Sequence, residues 1–104
     1  MTVDQFALAL AVHYSQDPIA PGLQIAYLND KASWYICVHR FPTRSVSNRE
    51  FVCKALLPKF EETLDLCFSM WKESVDRLAA AKAAALANDP QMNRAESNGE
   101  GQTQ

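Results

Sequence analysis

Apolar residues recur at helical spacing at both ends of this chain and gather into short β-type runs in its middle. From Pro58 onward, Phe60, Leu64, Cys67, Trp71, Val75 and Leu78 follow at intervals of four, three, four, four and three. That spacing puts them on one stripe of a helix. The pattern predicts a helix over 58–87, about 45 Å long. Pro58 suits its first turn, and Glu61 and Glu62 sit where the helix dipole favours anions. Glu73 with Arg77 and Lys72 with Asp76 stand at i, i+4 spacing on the solvent side. Beyond Arg77 the run AAAKAAALA needs little tertiary support, because alanine has the best helix propensity. Asn88-Asp89-Pro90 stops the helix, and the polar segment over 89–104 reads as a disordered tail.

At the other end, Thr2 and Gln5 have the spacing of a capping box. The segment that follows predicts a helix from Val3 to Ser15 with Phe6, Leu10 and Tyr14 facing inward. A strand is the competing reading of this stretch. Asp17, Pro18, Pro21 and Gly22 end the helix, since prolines and a glycine so close together forbid its continuation.

Three β-type runs lie between the helices. Leu23–Leu28 is short, and Asn29-Asp30-Lys31-Ala32 supplies a turn before the strongest run, Trp34–Phe41, so the two form a hairpin. After the polar loop Pro42–Asn48, Arg49–Leu56 reads as a third strand, with a helix starting at Asn48 as its competitor. If the last two strands pair about a loop centred near Ser45, Cys37 lies opposite Cys53. The expected architecture is α+β in the order α-β-β-β-α: a three-stranded antiparallel sheet, a short N-terminal helix and a long C-terminal one. It forms one domain over 1–88. Strands of eight or nine residues span under about 30 Å, so one end of the long helix is expected to overhang. Both faces of the central strand are apolar, with Trp34, Ile36 and Val38 one way and Tyr35, Cys37 and Phe41 the other. A strand exposed on one face alternates apolar with polar. Either the helices cover opposite faces, which is the favoured arrangement, or one face receives a partner.

Composition changes this picture little. The chain has 104 residues, 48% of them hydrophobic and 21% charged, with a formal net charge of −2. That is an ordinary globular balance, and any electrostatic function must come from a local patch. The N-terminal apolar stretch is too short to span a bilayer and carries no basic leader, so a membrane is not an expected partner. Three cysteines, Cys37, Cys53 and Cys67, in apolar surroundings point to reduced thiols and a cytoplasmic location.

Candidate chemistry is sparse. Cys37, His39 and Cys53 are expected to share a sheet face with Cys67 arriving from the helix. No CxxC or HxxxH spacing supports a metal there, and small buried cysteines are common in cores. His13 and His39 lack a nucleophile and an acid in a justifiable arrangement, and no glycine-rich phosphate loop is present. Neither an enzyme nor a cofactor is expected. The α-β-β-β-α order is also that of double-stranded RNA-binding domains, an analogy of order alone. Such domains place lysines at the start of the last helix. Here Lys59 is followed by Glu61, Glu62 and Asp65, which argues against that use.

The expected function is non-catalytic protein–protein interaction, as a homodimer or as a small adaptor or inhibitor of a larger complex. Trp71, Val75 and Leu78 on the helix and Trp34 on the sheet are the expected anchors, since buried aromatics dominate interface energies. Such a chain would suit a phage or mobile-element accessory protein, including one that blocks a host nuclease. The alternative is nucleic-acid binding through Arg40, Arg44, Arg49, Lys54 and Lys59, opposed over that stretch only by Glu50. A solvated sheet edge explains the same charges without a ligand.

Overall fold

The structure, a computed structural model, describes residues 1–87; the expected tail over 89–104 lies outside them. The order is α1 (Val3–His13), β1 (Ile19–Leu28), β2 (Ser33–Phe41), a 3-10 turn at Val46–Asn48, β3 (Glu50–Leu57) and α2 (Phe60–Ala87). The class is α+β, and the three strands form one antiparallel sheet in the order β1-β2-β3. Contacts divide the chain after Glu73 into Met1–Glu73, which holds the sheet, α1 and the start of α2, and the segment from Ser74 onward.

The capping box opens α1 as its spacing predicts. Thr2 Oγ1 accepts from the Gln5 backbone N–H at 3.1 Å, and Gln5 Oε1 accepts from the Thr2 N–H at 2.9 Å. The helix ends at His13, two residues earlier than expected.

β1 begins at Ile19, four residues before the predicted start, and so takes in Pro21 and Gly22. The register between Ile19 and Gly22 is irregular, and β1 is an edge strand. An edge strand or a bulge is where a proline's missing N–H does no harm to a ladder.

β3 is a strand, as its pattern favoured, and it runs one residue later than expected. Pro58 falls in the bend before α2 rather than in its first turn. The first α2 hydrogen bond runs from the Thr63 N–H to the Lys59 carbonyl at 3.0 Å. Thr63 Oγ1 donates to the carbonyls of Leu57 and Lys59, at 3.1 and 2.6 Å, and ties the end of the strand to the start of the helix. A residue before proline is held extended, which keeps Leu57 in the strand.

The core of Met1–Glu73 lies between the sheet and the helices. Phe6 and Leu10 of α1, Ile36 and Val38 of β2, Cys53 and Ala55 of β3, and Leu64, Cys67 and Trp71 of α2 are buried there. Fully burying an aliphatic or aromatic side chain contributes about 1.5–3 kcal/mol. α1 and the part of α2 within Met1–Glu73 lie over the face that carries Trp34, Ile36 and Val38. The Cys67 thiol donates to the Ile36 carbonyl at 3.6 Å, Phe60 meets Trp34 with ring centroids 5.0 Å apart, and Phe6 meets Phe68 edge-on at 5.3 Å. The favoured expectation of helices on opposite faces is therefore corrected. On the face that carries Tyr35, Cys37 and His39, Gln24, Phe51, Lys54 and Leu56 are exposed while Cys37 is buried.

A bulge between Val38 and His39 shifts the β2–β3 register. Cys53 pairs with Val38, and Cys37 pairs with Lys54. Cys37 and Cys53 are not opposite one another, because the extra β3 residue moves the pairing by one and a one-residue slip exchanges faces.

Candidate functional site

Of the four expected anchors, Trp71 is spent inside the fold. Its indole is 4% exposed, its Nε1 donates to Tyr14 Oη at 3.1 Å, and its ring meets those of Phe6, His13 and Phe68 at centroid distances of 6.0, 5.5 and 5.7 Å. A ring with that many internal neighbours, and with its only donor satisfied, clamps α1 to α2. Trp34 is half-buried at the end of the sheet, edge-on to Tyr27 at 5.2 Å and to Phe60. Val75 and Leu78 continue the α2 stripe beyond Glu73; Val75 is partly covered and Leu78 is 68% exposed.

The exposed apolar surface that the sequence reading passed over is on α1. Leu8 and Val12 stand one turn apart, each 66% exposed, with Ala7 and Ala11 exposed beside them. Between Phe6 and Val12 the helix has no polar residue. A helix apolar around its whole circumference is ordinarily buried on all sides, yet only Phe6 and Leu10 are buried here. The signal was present in FALALAV, where a second apolar pair at i, i+4 lies opposite the first.

The five basic residues do not form one surface. Arg40 belongs to the helix-covered face, where Nε and Nη2 donate to the two Asp17 carboxylate oxygens at 3.0 and 2.8 Å. Its guanidinium also lies 5.4 Å over the Tyr14 ring and 3.8 Å from Glu50. The hydrogen bond to Asp17 is the main cause that holds its pKa above the ordinary arginine value. Asp17 stands outside the 40–59 stretch, so reading that stretch alone missed it. Lys54 projects from the opposite face of the sheet, while Arg44, Arg49 and Lys59 are exposed.

That opposite face has its own chemistry. Phe51 is 54% exposed and meets His39 edge-on at 5.8 Å. Tyr35 and Cys37 lie along the same face, and Gln24 Oε1 accepts from the Cys37 thiol at 3.4 Å. The Tyr35 pKa is raised, first by its hydrogen bond with Cys37 and then by burial. Burial, with Arg49 nearby as the second cause, pushes the His39 pKa below the ordinary imidazole value. Gln24, Tyr35, Cys37, His39, Phe51 and Lys54 share this face, and no carboxylate occupies a strand position among them.

The thiols also divide by face. Cys37 approaches His39 Nδ1 at 3.9 Å on the Tyr35 face, and Cys53 meets Cys67 at 3.9 Å between sheet and helix. The shared Cys37, His39 and Cys53 face expected from sequence is thereby corrected. Among the described residues no three cysteine, histidine or acidic side chains gather as metal ligands would, and no helix is long and apolar enough to cross a membrane. Comparison of the chain with protein-family models, with curated proteins and with solved structures finds no match.

Proposed function

We propose that this protein is a non-catalytic binding module that works by docking to another protein, as an adaptor or an inhibitor, in the cytoplasm. The location rests on its three free cysteines, the usage of a reducing compartment. The carrying observation is the outward face of α1, where Leu8 and Val12 remain two-thirds exposed on a helix with no polar residue between Phe6 and Val12. A stable fold does not require this face to be apolar, because Phe6 and Leu10 already anchor the helix. A contiguous apolar patch left in water ordinarily marks a contact surface. The test is affinity capture from the native host with mass spectrometry, comparing the wild type with Leu8→Asp/Val12→Asp. Loss of a specific partner with the circular dichroism retained supports docking through α1. The same partners recovered by both proteins reject it.

The sheet face of Tyr35, Cys37 and His39 favours a second reading, nucleic-acid binding. The exposed Phe51 ring and the half-buried Tyr35 and His39 rings on the face of Lys54, with no carboxylate at a strand position there, are the ingredients of a single-strand platform. Nuclease treatment of the same captures separates the readings, since recovery that disappears with nuclease belongs to the second.

A further inference from the structure

The buried thiol pair between β3 and α2 is used by neither reading. Cys53 and Cys67 have their sulfurs 3.9 Å apart, at about van der Waals contact, and a disulfide would bring them to roughly 2.05 Å. One thiol is carried by an edge strand and the other by a helix, so a bond between them would join two separate elements. The third thiol cannot compete, because Cys37 points to the other face of the sheet, where Gln24 and His39 surround it.

We propose that Cys53 and Cys67 are an oxidative modification site, closed to a reversible disulfide by a small peroxide. Cys53 is the attacking sulfur and Cys67 the resolving one. Cys53 is 6% exposed and Cys67 fully buried, so a molecule the size of hydrogen peroxide meets Cys53 first. Contact with Cys67 lowers the pKa of Cys53 against the opposing effect of burial, and contact with Cys53 together with burial raises that of Cys67. The thiolate is the reactive form.

In the first step the Cys53 thiolate attacks one peroxide oxygen and the O–O bond breaks. The departing hydroxide takes up the proton Cys53 gave up and leaves as water, so Cys53 becomes a sulfenic acid. In the second step the Cys67 sulfur attacks Cys53, the S–O bond breaks, and the leaving hydroxide takes the Cys67 proton. Two thiols are oxidised to one disulfide and the peroxide is reduced to two waters. In a reducing compartment such a bond forms transiently and is reversed by thiol exchange.

The experiment uses the full chain in native buffer, treated with hydrogen peroxide, alkylated under denaturing conditions and digested without reductant. The expected product is a Cys53–Cys67 linked peptide with two hydrogens lost and Cys37 alkylated. Reductant should reverse the link, and the oxidised protein should melt several degrees higher. In Cys67→Ser, dimedone should trap a sulfenic acid on Cys53. A link that forms only after denaturation, a bridge that includes Cys37, or oxidation of Cys53 straight to a sulfinic acid overturns the proposal. A folded Cys67→Ser protein with no dimedone on Cys53 overturns the order of attack. Should that variant fail to fold, the wild-type peptide map alone decides.

Discussion

Arg40 is held at three points: a bidentate pair with Asp17, the Tyr14 ring beneath it and Glu50 at longer range. The Asp17 side chain is nearly buried and that of Arg40 about a third exposed, so solvent screens the pair less than it would a surface bridge. Planar two-point donation to a carboxylate is a geometry that lysine cannot copy. Asp17 lies just after α1 and Arg40 near the end of β2, which makes the pair a clasp between the chain leaving the helix and the sheet. Arg40→Ala should cost about 1–2 kcal/mol, the range of a partly exposed charge-assisted bond, and Arg40→Lys should recover less than half of that. Urea unfolding of both variants measures it. A cost under a few tenths of a kcal/mol would mean that the clasp contributes nothing.

At the scale of elements, Trp71 joins α1 to α2. Its deletion should act as a core cavity rather than as a lost contact site. Trp71→Ala should cost about 3–5 kcal/mol, whereas Trp71→Phe, which keeps a ring but strands the Tyr14 hydroxyl without its donor, should cost less. Equilibrium unfolding ranks them, and equal costs would assign the stabilisation to the hydrogen bond instead of the packing. The elements were legible in the sequence because each carried a local signal: the Thr2–Gln5 capping box, the β-rich run ending at Phe41, and the stripe from Phe60 to Leu78. The sheet faces were not, because they depend on one extra residue in β3 that changes no composition yet moves Cys53 from Cys37 to Val38. The burial of Trp71 was hidden for a related reason. An apolar stripe announces that a face is covered, not whether the cover comes from the same chain. Leu8 and Val12 were overlooked because alternating alanine and leucine satisfies a one-faced and a two-faced helix alike.

For the molecule as a whole, the balance of charge and exposed apolar surface decides whether copies associate. A formal net charge of −2 sets up little repulsion between two chains. Leu78 and Leu86 are 68% and 48% exposed on α2, with alanines filling most positions between them. Small side chains let two helix backbones approach closely, and a pair of identical helices is satisfied by a twofold axis, since each copy then presents the same face to the other. Self-association through α2 is the outcome to test. Light scattering from micromolar to near-millimolar concentration should show a dimer that becomes a monomer in Val75→Glu/Leu78→Glu. The circular dichroism should be retained, because Leu78 lies mostly in water and Val75 is only partly covered. Leu8→Asp/Val12→Asp should leave the dimer intact, which separates the α1 face from this one. A wild-type chain that stays monomeric throughout the range removes self-association and leaves a different protein as the occupant of the exposed helix faces.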